Sequence, residues 1–585
     1  MKLRRRCSRE LSRKLSQKLP LVALLAASLI STATLLAQST NRKIGTQFTV
    51  TANPLVPRPP EQPCVAPLFT SYQFAHYSDD YQTFQFTPPE NCSGPWEKVV
   101  LEADFSENAG AQFDRTAIIY LGNLNLYFGT TPEPLSTTTN TWHVERDITD
   151  YSAALSTAQQ GTVILINCTT DCPSPYNTLN GVFTVNAQIE FYPAQRGRGN
   201  SQQGGGQGGW GQATPDQVLP LVQTNGSGGV SLPATLQPGD QLSTTFTLPT
   251  NTVQAYLDVL TENQYIDETW WGCFPNDLSS INEVYGCGNT NFRETEVTID
   301  GQPAGISPVS AWVFTGDLPD DWVPIPGAQT LNLVPYRVNL TPFAGLLSNG
   351  QSHTVAFSVF NNDSNFSVAA SLLLYLDPGT KQVTGAVTED TLTNPNPVVT
   401  EDLNGTATVT GTIGVQSNRS FRIAGYVNTS HGKVTTSISQ QQNFSSTEKI
   451  DFDTVNFTVL DQNTSIDTSL SSETTVSSWA GTVATNQHWS FPFTADFTYP
   501  VASAPFGQTQ AFTQKYNTSE QVSFDGFPVY FSSLTNAVNA TDVSPTSSSQ
   551  NYTLFDSNGV FYRCSIASNN ATLTSVSQGC KEGEK

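Results

Sequence analysis

The stretch AGAQFDRTAIIYLGN, from Ala109 to Asn123, sets an Asp-Arg pair directly before Ala117-Ile118-Ile119-Tyr120-Leu121. That run has the length and bulk of a buried β-strand. Asp114 and Arg115 would then stand at the mouth of a sheet, either as a structural ion pair closing the strand or as part of a site. The chain is only 13% charged, so an acid placed beside such a strand is a chemical candidate.

The flanking sequence has the same character. Thr83 to Thr87, Lys98 to Asp104, Val163 to Ile166 and Phe183 to Phe191 read as strands, several alternating polar with apolar residues. Further on, Ala255 to Leu260, Glu296 to Ile299, Ala311 to Phe314 and His353 to Phe360 read the same way. Long amphipathic helical patterns are missing, and Ser, Thr, Asn, Gly and Pro are abundant. The expected fold class is all-β, with many short strands joined by turns.

Length and composition bound the organisation. The 585 residues have room for several domains. Residues 1–18 form a basic segment, and 19–37 an uncharged apolar run long enough to span a bilayer, read as a signal-anchor or a signal peptide. In either case the chain beyond residue 37 is lumenal or extracellular, and the apolar run is the expected contact with membrane. Residues 38–61 read as a Pro-rich stem, 62–195 as a first β unit, 196–216 as a Gly-rich linker, 217–380 as a second β unit, and 381–585 as a glycosylated β-rich module in a supporting or spacing role.

Charge and cysteine usage narrow the partners. A net charge of -22 repels phosphate backbones, so nucleic acid is not an expected partner. Beyond Cys7, eight cysteines fall into four close pairs, Cys64/Cys92, Cys168/Cys172, Cys273/Cys287 and Cys564/Cys580, and an even lumenal set implies disulfides. Neither CxxC nor clustered histidines occur, so no metal site and no cofactor are expected. Sixteen Asn-x-Ser/Thr triplets lie beyond the apolar run, ten of them after residue 381.

The second chemically dense stretch is ENQYIDETWWGCFPNDLSSINEVYGCGNTNFRETEV, from Glu262 to Val297. It places Asp267, Glu268, Trp270, Trp271, Arg293 and Glu294 on a long loop, and long ordered loops on sheet scaffolds commonly carry function. Trp270 and Trp271 read either as core or as a stacking surface for a sugar.

Nine short motifs in order carry a family resemblance. Pro63-Cys64 through Cys92, Gln112-Phe113-Asp114-Arg115, Thr131-Pro132-Glu133-Pro134, Trp142 to Thr149, Asp267 to Trp271, Phe292-Arg293-Glu294, Val313 to Gly316, Leu340 to Phe343 and Leu376-Asp377 together resemble the peptide N-glycosidase A family. The resemblance covers about residues 62–380 and implies a glycoamidase, cleaving the bond between an asparagine side chain and its N-linked glycan. N-linked glycopeptides or unfolded glycoproteins would be the substrates.

A more distant similarity, to bacterial peptide N-glycosidase F, implies two tandem jelly-roll-like β-sandwich units. That enzyme's Trp-Asp-Arg segment, which holds its central catalytic acid, matches Phe113-Asp114-Arg115. Its second functional carboxylate falls on Asn289, so the second acid here is left to Glu268 or Glu294. Carboxylates and guanidinium groups remain as the tools for activating water. Asp114 is expected as base and Glu268 as acid or anchor, with Arg115 or Arg293 positioning an acid or the oxyanion and Trp270 stacking on the first sugar. Two other readings stay open: a two-carboxylate glycoside hydrolase, and a non-catalytic glycan-binding or cell-surface glycoprotein on the same fold.

Overall fold

The computed structural model describes residues 53–133, 137, 139–167, 179–194, 214–225, 227, 229–278, 287–314, 325–455, 458–498, 509–541, 544–557, 559–570 and 572–580. The apolar run 19–37, Cys168, Cys172 and most of the Gly-rich linker lie outside them. Among the described residues no helix is long and apolar enough to cross a membrane.

Residues 64–193 form two four-stranded antiparallel sheets. The strands are β1 (Cys64–Phe74), β2 (Tyr81–Phe86), β3 (Trp96–Glu107), β4 (Thr116–Leu121), β5 (Leu124–Thr130), β6 (Asn140–Asp147), β7 (Gln159–Leu165) and β8 (Phe183–Pro193). One sheet runs β1-β8-β3-β6, the other β2-β7-β4-β5. Alternation explains the sandwich: Phe183, Val185, Ala187, Ile189 and Phe191 of β8 all point into a core shared with Phe84 and Phe86 of β2 and with Ala117, Ile119 and Leu121 of β4.

The other face of β4 is buried too. Ile118 and Tyr120 pack with Leu260, Trp312, Phe314, Leu333 and Ala369, which belong to the second unit. A strand covered on both sides has no polar face to show, which is why its sequence reads as an unbroken apolar run.

The second unit holds two further sheets. In one, Thr252–Gln264 pairs with both Asn365–Leu376 and Tyr336–Asn339; in the other, Ser352–Phe360 lies between Leu242–Thr247 and Glu294–Ile299. Along Thr252–Gln264, Ala255, Leu257 and Val259 face this unit's own core. Tyr256, Asp258, Leu260 and Glu262 form the alternate face, and they meet the first unit. Arg337 binds Asp258 with two nitrogens at 2.7 and 2.8 Å, and reaches Asp150 of the first unit at 2.5 Å. At Gly129 an added Cβ would lie 2.6 Å from the Leu331 carbonyl oxygen, so only glycine permits this approach between the units.

Ala311 to Phe314, expected as a strand, is irregular. Side chains of other elements take up its backbone: the Trp312 carbonyl accepts from Trp271 Nε1 at 3.0 Å, and the Val313 N–H donates to Gln514 Oε1 at 2.7 Å. Its apolar residues sit in the cores without a strand partner.

Residues 384–576 build one twelve-stranded antiparallel sheet. It does not hang free as a spacer. Phe493, Phe497 and Phe512 enclose Trp271, and Phe444 packs on Phe292 with ring centroids 4.8 Å apart. The segment read as a stem also closes on the body from residue 53: Leu55 and Val56 are buried, and Arg58 pairs with Glu102, Glu145 and Glu190.

The ionic link between the units makes a stability prediction. Arg337→Ala leaves Asp258 and Asp150 buried without their cation and should cost about 3 to 5 kcal/mol. Urea unfolding measures it, and a loss below about 1 kcal/mol would show that the clamp is not structural.

Candidate active site

Asp114 lies in an irregular segment just ahead of β4, and its neighbours are tied down. Gln112 is buried, and its Oε1 accepts from the Phe113 N–H at 3.0 Å and from Arg115 Nε and Nη2 at 3.2 and 2.8 Å. Gln112 Nε2 donates to the Gly181 carbonyl at 3.1 Å and to Asn167 Oδ1. The Arg115 N–H donates to Thr131 Oγ1, and its carbonyl accepts from the Thr131 N–H, both at 2.8 Å. Asp114, half-buried, is thus held between two residues whose positions are fixed on both sides.

The second unit supplies a carboxyl group to this place. Glu262, only 1% exposed, lies with both oxygens 3.1 Å from Thr116 Oγ1, two residues past Asp114. Gln264 Nε2 donates to Glu262 Oε2 at 2.7 Å and to Thr116 Oγ1 at 2.9 Å. Burial pushes the Glu262 carboxyl up to about 8; hydrogen bonds from Thr116 and Gln264 oppose the rise, and the Asp114 charge adds to it.

A third acid comes from the end of β3. Glu107 is fully buried, and neither carboxyl oxygen has a hydrogen-bond partner among the described residues. Burial pushes it up to about 10, with Glu133 and Asp114 adding and Arg115 opposing. Two buried carboxyl groups held towards their uncharged form thus lie within electrostatic reach of Asp114. Pairs of acids whose surroundings separate their pKa values are the usual arrangement for acid and base roles.

Of the other residues singled out in the sequence, Arg293, Glu294, Asn289, Trp270 and Trp271 are committed to other contacts. Glu294 is fully buried and bound by Arg419 and Gln442 of the C-terminal sheet. Arg293 places Nε and Nη2 on Asp267 Oδ1 at 3.0 and 2.8 Å, while Asp267 Oδ2 accepts from the N–H groups of Asp363 and Ser364. That pair staples the loop to a neighbouring turn, and Arg293 is not turned towards Asp114's neighbours. Asn289 bonds Asn276 and reaches the same turn at Asn362 and Asp363. Trp270 and Trp271 are 0% and 1% exposed, so neither offers a ring face to a sugar. They lie in 3₁₀ turns between Tyr265 and Gly272, with Glu268 half-buried beside them and its carbonyl accepting from Asn263 Nδ2 at 2.5 Å.

Three of the four expected cysteine pairs are disulfides in the described residues: Cys64–Cys92, Cys273–Cys287 and Cys564–Cys580. Glu102, His143 and Glu145 come close enough together to share a cation, but the Arg58 guanidinium already reaches both glutamates, at 2.6 and 2.8 Å.

Sequence reasoning missed Glu262 and Glu107. A signal for Glu262 existed: Tyr256, Asp258, Leu260, Glu262 and Gln264 recur every second residue, so one strand face carries two acids. Glu107 gives none, since only burial makes it unusual.

Buried carboxyl groups gathered around a half-buried one supply the kind of groups that acid–base chemistry draws on. The family model described as Peptide N-acetyl-beta-D-glucosaminyl asparaginase amidase A matches residues 54–392, and the chain belongs to that family. It is 29% identical over 387 residues to the Peptide-N4-(N-acetyl-beta-glucosaminyl)asparagine amidase A of Prunus dulcis, covering 65% of this chain and 65% of that relative's length. Solved structures of PNGF-II in space groups P21 and C2 align at 13% identity with TM-scores of 0.34 and 0.33, over 54% of this chain and 66% and 65% of theirs. Likeness of that size carries no argument.

The neutral state of Glu262 has a measurable consequence. The unfolded chain ionises this group near 4.5, whereas the folded chain keeps it protonated to about 8. Stability should therefore fall as pH rises through that window. Glu262→Gln should flatten the fall, read from urea midpoints between these pH values; an unchanged slope would place the proton elsewhere.

Proposed function

We propose that the protein is a glycoamidase, hydrolysing the β-aspartylglucosaminyl amide of N-glycopeptides or unfolded glycoproteins. The observation that carries this reading is the buried Glu262 of the second unit joined to Thr116, two residues past Asp114, across the junction of the first two β units. Membership of the amidase A family supports it.

Asp114 takes a proton from water as the water oxygen bonds to the side-chain amide carbon. Arg115, anchored by Gln112, provides positive charge near the developing oxyanion. Collapse breaks the carbon–nitrogen bond, and the departing nitrogen needs a proton. At rest the Thr116 hydroxyl donates to Glu262; once that half-buried hydroxyl rotates, it takes the proton of Glu262 and gives up its own to the nitrogen. The products are an aspartyl peptide and a glycosylamine, which a second water converts to free sugar and ammonia. Glu262 thus takes the acid's role that the sequence left to Glu268 or Glu294.

The wider assignments belong to the same reading. The orders β1-β8-β3-β6 and β2-β7-β4-β5 support a jelly roll for the first unit, with a similar sandwich for 217–380. Three disulfides support passage through the secretory pathway. Residues 19–37 would act there as a type II anchor or as a removed signal.

The test is incubation with an N-glycopeptide, reading peptide and glycan by mass. Amidase action leaves aspartate where asparagine stood; a bare asparagine or one still carrying a single sugar would sink the reading in favour of glycoside hydrolysis, and an intact glycopeptide would sink it in favour of binding. Asp114→Asn should lower turnover at least about 100-fold. The wild-type rate should decline as pH rises through about 8, where Glu262 ionises, and Glu262→Gln should lose both most of the rate and this decline.

A further inference from the structure

The C-terminal sheet has one face against the body and one face open. Gln442, Phe444 and Ser446 show the inward parity: they meet Glu294, Phe292 and Asn291. Asn443, between two of them, must point the other way. Strand register carries this outward parity across the sheet, because residues directly opposite each other share a face. Asn443 pairs with Asn418, and Lys449 of the same face pairs with Asn463. Asn517 pairs with Thr535, which pairs with Asn551. Asn539 lies an even number of residues past Thr535 on that strand, while Asn536, 1% exposed, turns inward to Gln329. Asn428 lies an even number of residues from Asn418, and Asn404 pairs with Thr410 of the same parity.

These eight asparagines are the acceptors of the Asn-x-Ser/Thr triplets that fall on described strands of this sheet, and all eight lie on the open face. Random placement would divide them between faces. The body holds acceptors of both kinds: Asn91 and Asn225 are exposed, whereas Asn167 is 1% exposed and donates to the Phe74 and Gly181 carbonyls, and Asn362 is 5% exposed. A glycan is added to the growing chain and must then fit the fold. The open face leaves room for a branched polar chain at each of these positions taken singly, and the packed face leaves none.

We propose that the outer face of this sheet is a modified surface, carrying N-linked oligosaccharide at Asn404, Asn418, Asn428, Asn443, Asn463, Asn517, Asn539 and Asn551. The face looks away from the body that holds Asp114, so these chains are out of reach of the molecule's own site. They cover a broad polar sheet surface that would otherwise be free to stack on another. Asn428 and Asn463 donate Nδ2 to Thr384 and Asp461, bonds compatible with a substituted amide, which keeps one N–H. Asn418 and Asn443 stand directly opposite on adjacent strands, where two glycan stems compete for the same space.

Secretion of the full chain from a glycosylating host, as wild type and as Asp114→Asn, followed by glycopeptide mapping, tests this. The expected result is glycan at the eight strand asparagines in both proteins, bare Asn167 and Asn362, and molecules carrying glycan at Asn418 or Asn443 rather than at both. Ser445→Ala, which removes the Asn443 acceptor triplet, should then raise occupancy at Asn418. Bare strand asparagines alongside occupied Asn167 or Asn362 would overturn the proposal. Aspartate at the strand positions in wild type, with intact glycan in Asp114→Asn, would overturn the claim that the face is out of reach. Occupancy is read independently of turnover, so failure of the amidase reading leaves this test intact.

Discussion

Arg337 is the cation on which the placement of the first two β units depends. It binds Asp258 with two nitrogens and Asp150 with a third, bringing together two strands of one unit and a 3₁₀ turn of the other. Both aspartates are buried and Arg337 is largely covered, so leaving either carboxylate without its cation carries a large desolvation penalty. Asp258 also accepts from the Tyr151 hydroxyl at 3.1 Å. Four residues further along the same strand face, about 13 Å away at the usual rise, stands Glu262. The clamp that joins the units thereby sets where a carboxyl group of the second unit meets Thr116 of the first.

The C-terminal sheet steadies the same arrangement from behind. Its phenylalanines enclose Trp271, its Arg419 and Gln442 hold Glu294, and its Gln440 reaches the Tyr336 hydroxyl at 3.1 Å beside Arg337. The loop that looked richest in chemistry is thus largely a docking element. Its tryptophans and its Asp267–Arg293 pair are consumed in internal contacts, which explains their density without placing them in a site. Burial also pushes Glu294 up, to about 7, against the pull of Arg419. A perturbed carboxyl alone does not mark an active centre.

Much of the first unit was legible because its strands obey simple rules. Phe183 to Phe191 alternates, and Ala117 to Leu121 is continuously apolar because both sides are covered. Ala311 to Phe314 was misread for a related reason: apolar composition reports burial, but the partner that makes a strand is a property of the fold. At the site, Asp114 stood out through its position before a buried strand and through ordered motifs. Glu268 and Glu294 belong to the ordered motifs on either side of Asn289, and Glu262 belongs to none of them. The acid that meets Thr116 sits instead at the end of a regular strand, where sequence gives it no distinction beyond a period of two.

By itself the sequence determined the strand-rich class, the oxidising compartment implied by paired cysteines, and Asp114 as an acid at a strand's mouth. These are local properties, written in alternation, spacing and neighbours. Tertiary structure alone decided which carboxyl groups lose their charge. Glu107 and Glu262 are neutral because other parts of the chain exclude water from them, and Glu262 lies near Asp114 only because an arginine more than seventy residues later pins its strand to the first unit. Desolvation and long-range pairing depend on what surrounds a residue in space, and no reading of its neighbours along the chain supplies that.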